Sequence, residues 1–263
     1  MDINAVTTFG KTTTYDYNAF GFLKSKTFKS SNSATTTETY KYPSDFTSES
    51  SVFSQMVSCN IISPIIEIVT DNNGSINRQK TVYGQPYPKV FVPSLFKVQK
   101  DSNPIETRIT FDRYDSYGNP NSINKDGLGN IIYLWSYKGQ YPIAEIKYST
   151  YETVNSALAS VGLGSIEILS TNTNPDKTKL DNLRNIASLS NALITTYKYF
   201  PLIGIVEETS PLGVTTFYTY DSFGRLASIK DNNKNIVKQF HYKYYNQIVE
   251  VEPEPEKYCN VTL

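Results

Sequence analysis

The chain has 263 residues, 39% hydrophobic, 19% charged and 13% aromatic, with 21 tyrosines. That is enough apolar material to fold and excludes disorder along its body. Its 25 basic and 25 acidic residues cancel, which removes the long-range attraction that nucleic-acid binding relies on, and no Lys/Arg cluster restores it. There is no run of roughly 18 apolar residues and no charged-then-apolar leader at Met1, Asp2, Ile3 and Asn4, so neither membrane insertion nor an export signal is expected of the chain as it stands.

In chain order, residues 10–42 read as three strands. Gly10 to Leu23 (GKTTTYDYNAFGFL) alternates β-branched and aromatic residues up to Tyr17, then turns at Asn18 to Gly21, where Gly21 supplies a positive φ. Phe22 to Phe28 makes the next strand, Ser30 to Ser33 a polar tip, and a further strand ends on Tyr42 before Pro43. Residues 43–106 form a first insertion. Its apolar run Ile61 to Val69 predicts a strand that Pro64 breaks or holds at an edge, and Asn73-Gly74 centres a hairpin. Gln85 to Pro88 is extended, and Val90 to Gln99 is another strand. The second cluster, 107–148, carries the turn Tyr114-Asp115-Ser116-Tyr117-Gly118, with Asp115 and Gly118 as turn formers, and a turn at Lys125 to Asn130; its strands are expected to pair with the first cluster.

The period changes in a second insertion, 149–194. Val154, Ala157, Leu158 and Val161 share a helical face, with Ser149 or Thr150 as N-cap and Gly162 and Gly164 as the stop. Asn174-Pro175-Asp176 predicts a second helix with Pro at its first position and Leu180, Leu183, Ile186 and Ala187 as its stripe. Two short helices within about 150–190 should therefore lie on the sheet. The third cluster, 195–247, contains Gly213 to Leu226 (GVTTFYTYDSFGRL), which matches Gly10 to Leu23 with Tyr220 on Tyr17, Gly224 on Gly21 and Leu226 on Leu23. Aromatic-x-aromatic strand ends recur at Tyr40-Lys41-Tyr42, Trp135-Ser136-Tyr137, Tyr197-Lys198-Tyr199 and Phe240-His241-Tyr242. The anchor tyrosines 17, 42, 114, 137, 199, 220 and 242 are spaced 21 to 25 residues apart within clusters, with longer gaps after Tyr42 and Tyr137. The expected fold is mainly β, one domain over 1–248, followed by an acidic, proline-spaced tail at 249–263.

Tyr220-Asp221-Ser222-Phe223-Gly224-Arg225-Leu226 matches the Y-D-x-x-G-R-L signature of the YD-repeat, or RHS-repeat, family, followed by Asp231 to Asn235. The first copy has Asn18 for Asp and Phe22 for Arg; the Tyr114 copy has Asn119-Pro120 where Arg-Leu would stand. Leu134 to Ile146 resembles a long-insert variant found in large surface proteins of Gram-negative bacteria. The resemblance covers most of 10–248. It implies a spiralling antiparallel sheet of hairpins, a larger parent chain, an extracellular or cell-surface location, and a scaffold or adhesion role with other surface proteins as partners. The self-cleaving D-P-x-G-L type motif of toxin-carrying members is missing, so neither autoproteolysis, a passenger toxin nor a catalytic residue carries over.

No catalytic, cofactor or metal site is expected. The single histidine, His241, lies between Phe240 and Tyr242 in a repeat strand. Asp231-x-Asn233-x-Asn235 and Asp71-x-Asn73-x-Ser75 start like calcium loops but lack Gly at the sixth position and Glu at the twelfth, and read as turns. Glu207 and Glu208 are strand neighbours facing opposite ways. Cys59 reads as a free buried cysteine rather than the partner of Cys259, and Asn260-Val261-Thr262 fits a glycosylation pattern. Tyr15, Tyr40, Trp135, Tyr197, Tyr218 and Phe240 each precede an anchor by two, hence share its face. Buried, that ladder is core; exposed, Trp135, Tyr137, Tyr218 and Tyr220 would stack on surface glycans, which makes a carbohydrate-binding module the alternative function. Periodicity favours core.

Overall fold

The computed structural model describes residues 5–8, 11–29 and 34–243. The expected tip at Ser30 to Ser33, the tail from 249, Cys259 and Asn260 lie outside the described residues. The first strands are β1 (Ala5–Thr8), β2 (Lys11–Tyr17), β3 (Leu23–Lys29) and β4 (Thr35–Lys41). After them come β5 (Glu67–Asn72), β6 (Ser75–Tyr87), β7 (Val90–Lys100) and β8 (Glu106–Tyr114). The third group is β9 (Pro120–Lys125), β10 (Gly129–Ser136), β11 (Tyr141–Lys147) and β12 (Leu193–Phe200). The last is β13 (Gly204–Thr209), β14 (Thr215–Tyr220), β15 (Leu226–Lys230) and β16 (Ile236–Gln239).

All sixteen strands form one antiparallel sheet in sequence order, with β1 and β16 at its two ends. Such an order makes every connection a return between neighbours and sends all even-numbered strands the same way, so their C-terminal ends share one rim. The mainly β, antiparallel expectation holds. The pairing of the second cluster with the first does not: β5, β6 and β7 stand between them, and β8 pairs with β7. Residues 67–100 therefore extend the sheet instead of interrupting it. Their register is set at Asn73 (φ 52) and Gly74 (φ 96), the two left-handed positions of a twist-matched hairpin turn.

Two helical covers sit on this sheet. In the first, a 3-10 turn at Pro43–Phe46 leads to α1 (Ser51–Ser58), which Ser50 caps by accepting from the Val52 N–H. The sequence reading missed α1. Phe53 and Met56, one turn apart, bury with Phe46 and Ile66 against the partly buried Tyr83 and Phe91. Residues 61–66 are consequently a linker that touches the core through Ile61 and Ile66 and exposes Ile65, and the strand expected from Ile61 begins only at Glu67, beyond Pro64. Cys59, expected buried, is exposed, because it caps the outer end of α1.

The second cover joins β11 to β12. Helix α2 (Tyr151–Ser160) is capped by Thr150 as expected. Next comes α3 (Ile166–Thr171), which was not expected; its Ile166 N–H donates to the Asn155 side chain at 2.9 Å. Helix α4 (Lys177–Asp181) is capped by Asp176, two residues later than Asn174, since only the Asp176 carboxylate meets the Thr178 and Lys179 N–H groups. Two 3-10 turns, Asn182–Asn185 and Ala187–Leu189, complete it. Leu158, Leu169, Leu180, Leu183 and Leu189 close over Ile132, Leu134, Ile143, Ile146 and Ile194 of β10 to β12. Ala187, expected in the stripe, is exposed, and Leu189 takes its place.

A polar knot fastens this cover to the sheet. Lys177 Nζ donates to the Asp181 carboxylate at 2.7 Å and to Thr196 and Thr209 hydroxyls at 3.0 and 2.8 Å. Arg184 donates to Asp181 at 2.7 Å and to the Ile194 and Thr209 carbonyls. Burial works against the Asp181 charge, but bonds from Lys177, Thr196 and Arg184 outweigh it and hold its carboxyl below the ordinary value.

Candidate functional site

The repeated unit is a five-residue corner. In Asp221–Arg225 the Asp221 N–H donates to the Arg225 carbonyl at 2.9 Å and the Gly224 N–H returns to the Asp221 carbonyl at 3.0 Å. One Asp221 carboxylate oxygen accepts the Phe223 and Arg225 N–H groups, and the other accepts Arg225 Nε at 2.8 Å. Asp115–Asn119 repeats every one of these bonds, with Asn119 Nδ2 in the place of the guanidinium. Asn18–Phe22 keeps the backbone pattern, with the Asn18 amide oxygen as acceptor. Gly21 (φ 80), Gly118 (φ 87) and Gly224 (φ 73) fill the left-handed fourth position. The Asp231–Asn235 segment is the same corner with Lys234 (φ 65) in that position. Its acid thus serves backbone N–H groups, as the turn reading of this stretch has it.

A β-bulge follows four of these corners. The register skips Lys24, Asn121, Ala227 and Val237 in the returning strands, which increases local twist next to each corner.

Every even-numbered strand carries a tyrosine at or close to its C-terminal end: Tyr17, Tyr42, Tyr87, Tyr114, Tyr137, Tyr199, Tyr220 and Tyr242. Tyr87 is the anchor that sequence reading missed, and it fills the long gap after Tyr42. Several hydroxyls lock onto a neighbouring strand. Tyr42 donates to the Leu23 carbonyl at 2.7 Å, Tyr114 to Pro93 at 2.6 Å, Tyr220 to Ile205 at 2.8 Å and Tyr242 to Leu226 at 2.9 Å. Leu23 and Leu226 are the residues just past a corner, so the tyrosine of one hairpin pins the corner of the hairpin before it.

The ladder residues Tyr15, Tyr40, Trp135, Tyr197, Tyr218 and Phe240 are all half-buried, neither core nor open platform. Trp135 donates Nε1 to the Pro120 carbonyl at 2.9 Å. Tyr137 departs from the expected alternation: β10 ends at Ser136, and at φ 54 Tyr137 turns onto the helix-covered core, edge-on to Tyr141 at 5.5 Å. Tyr218 donates to Glu208 at 3.1 Å, and Tyr220 is bonded as above. Trp135 and Tyr137 are separated from Tyr218 and Tyr220 by β11, β12 and β13, so the sheet does not gather the four into one site. Glu207 pairs with Lys198 at 3.2 Å while Glu208 meets Tyr218, so these two acids have separate partners. His241 is exposed. Among the described residues no three His, Cys, Asp or Glu side chains are grouped as metal ligands, and no helix is long and apolar enough to cross a membrane.

A cleft of about 490 Å³ lies between β6, β7 and β8 and the second helical cover, and another of about 550 Å³ lies beside β2, β3 and β4. Tyr87, Phe111, Tyr114 and Tyr151 bring rings to the first, and Gln85, Asp112, Arg113 and Glu167 bring polar groups. The Arg113 guanidinium lies 4.4 Å from the Tyr151 ring centre and pairs with Glu152 at 3.0 Å; the Tyr151 hydroxyl donates to Glu167. Sequence reading named none of these as site residues.

No family model matches the chain, and no curated protein sequence matches it. Among solved structures it is similar to the crystal structure of TcdB2-TccC3-TEV, at 10% identity and a TM-score of 0.40 over 89% of this chain and 12% of that one. It is also similar to TcdB2-TccC3 without its hypervariable C-terminal region, at 10% identity and a TM-score of 0.37 over 89% of this chain and 13% of that one. The chain thus spans a small part of the length of these structures, and similarity at this level assigns it neither a family nor an activity.

Proposed function

We propose that the chain is a non-catalytic structural module of a larger YD-repeat protein at the cell surface or secreted from it, working by shape and contact. The observation that carries this reading is the rim. Strand after strand delivers a tyrosine to the same edge of one sheet, and hydroxyls there pin the neighbouring strand. Polar residues of the repeat go into holding the ribbon: Asp115, Asp221 and Asp231 are spent on backbone N–H groups of their own corners. Stacked hairpins that each depend on their neighbours form a long, stiff surface, which suits a scaffold.

The location is tested by labelling intact cells of the source with an antibody raised against this chain, before and after protease treatment of the cell exterior. Labelling that protease removes is expected. Signal that appears only after lysis would defeat the surface and secreted reading.

A further inference from the structure

Two neighbouring turns on the tyrosine rim carry apolar tips that the fold does not use. The turn between β12 and β13 presents Phe200, Leu202 and Ile203, and the corner between β14 and β15 presents Phe223. Leu202 is 90% exposed and Phe223 74%. The two turns touch, since a Cβ on Gly224 would stand 2.9 Å from Ile203 Cδ1, so their tips form one patch. Nothing in the local backbone asks for leucine at 202: its φ of 68 lies in the left-handed region, which glycine or asparagine fills at less cost. The turn is nevertheless held in place, because the Leu202 N–H donates to the Tyr141 hydroxyl at 2.9 Å and the Tyr141 ring stacks on Tyr199 at 4.7 Å. A large apolar side chain is thus fixed outward on a built support.

The charges around the patch are one-sided. Each acid on β11 to β15 and their corner has a partner within the sheet: Glu145 has Lys147, Glu207 has Lys198, Glu208 has Tyr218 and Asp221 has Arg225. Lys138, exposed on the turn that follows β10, and Lys243, exposed beyond β16, add positive charge on either side.

We propose that this patch docks onto an anionic lipid bilayer, with Leu202 and Phe223 entering the interface and the lysines meeting headgroups. Protruding tips need a receiving groove in any rigid partner. A second copy of the chain is a poor one, because the two clefts described above, and a third lined by Lys100, Glu106 and Arg108, all carry charged groups. A bilayer needs no groove: apolar side chains enter its boundary layer while lysines stay at the anionic surface. Leu212, also 90% exposed, supplies the contrast on the opposite rim. Its turn adjoins the corner Asp231–Asn235 through the bond from the Thr215 N–H to the Asn232 side chain, and that corner brings polar side chains only. The inference adds to the scaffold reading and does not rest on it.

The test is co-sedimentation of the full chain with vesicles of equal parts phosphatidylglycerol and phosphatidylcholine, and with vesicles of phosphatidylcholine alone. Binding to the mixed vesicles is expected, falling but not vanishing as salt is raised, and about tenfold weaker binding to the neutral ones. Leu202→Ser and Phe223→Ser should each weaken it about tenfold, as loss of one inserted apolar side chain would, while Leu212→Ser leaves it at the parent value. All three positions are exposed, so the melting temperature should not change and misfolding cannot mimic the loss. The proposal is overturned if the chain stays in the supernatant, if the Leu202→Ser, Phe223→Ser double variant binds as the parent does, if Leu212→Ser loses as much, or if neutral vesicles bind equally well. Self-association without lipid that disappears in the double variant would assign the patch to a second copy and overturn it too.

Discussion

Strands β10 to β12 and strands β13 to β16 belong to one sheet but are held by different forces. The first group lies under α2, α3 and α4 and contains Ile132, Leu134, Ile143 and Ile146 at 0% exposure. The second has no buried hydrophobic residue within the described chain; its only buried side chains are Thr209 and Ser228. Instead it has corners, tyrosine-to-carbonyl bonds, the hydroxyl pair of Thr219 and Ser228 at 2.7 Å, and Arg225 stacked over Tyr242 at 4.2 Å. Apolar burial anchors one stretch of the ribbon, and local polar geometry carries the rest outward from it.

If that division is right, the largest loss should come from the covered region. Leu158→Ala, at a fully buried position, should cost about 3 kcal/mol, read from the urea midpoint at constant slope. Asp181→Ala should cost about 2 kcal/mol, because it strands Lys177 and Arg184 in a setting with little water; its partial exposure keeps the loss below that of a sealed pair.

The same knot has a pH signature. Asp181 is held below its ordinary carboxyl value, and so is Glu67, where burial is outweighed by hydrogen bonds and charge from Lys41 and Arg78. Both carboxyls have folded values depressed below the unfolded ones. Their contribution is therefore complete above the ordinary carboxylate range and disappears as pH falls through the folded values. Thermal melts of the parent should decline on acidification below about pH 4, and Asp181→Ala should flatten that decline. An equal decline in the variant would move the effect elsewhere.

Changes in the uncovered ribbon should be smaller. Gly21→Ala forces an ordinary residue to φ 80 in open space, at about 1 kcal/mol. Gly224→Ala should cost about as much, since its Cβ would come 2.9 Å from Cδ1 at the tip of the exposed Ile203 side chain, which can swing aside. A clearly larger loss at Gly224 would mean that Ile203 is held in place by contact between successive turns on the rim. Smallest of all, Tyr220→Phe should lose about 1 kcal/mol or less, the worth of one hydroxyl bond to the Ile205 carbonyl. Chemical denaturation resolves it if the slope is unchanged.

The same contrast explains what the sequence disclosed. The corners and anchors at Tyr17, Tyr114 and Tyr220 are local patterns, with each bond closed within five residues, so spacing alone exposed them. Helix α2 was visible for a related reason: its cap, stripe and glycine stop are contiguous. Tyr87 was hidden because Gly84, Pro86 and a break in register between Gly84 and Tyr87 disturb the alternation that identifies the other anchors. Helix α1 was hidden because its apolar signal is Phe53 and Met56 within a serine-rich stretch, and only the face offered by Tyr83 and Phe91 makes those two a core. The cleft could not be read at all, since Gln85, Phe111, Arg113 and Tyr151 meet only after three strands and a helical cover have assembled.

A sheet whose anchor tyrosines fall at the ends of even-numbered strands can change length only in steps of two. Duplicating or deleting a whole hairpin leaves each downstream ring on its original edge and beside its original kind of partner. Gaining a lone strand would reverse the direction of everything after it and send the following rings to the far edge, away from the carbonyls that receive them. Evolutionary lengthening of such a chain is thus quantised by geometry, with parity as the rule that selection has to respect.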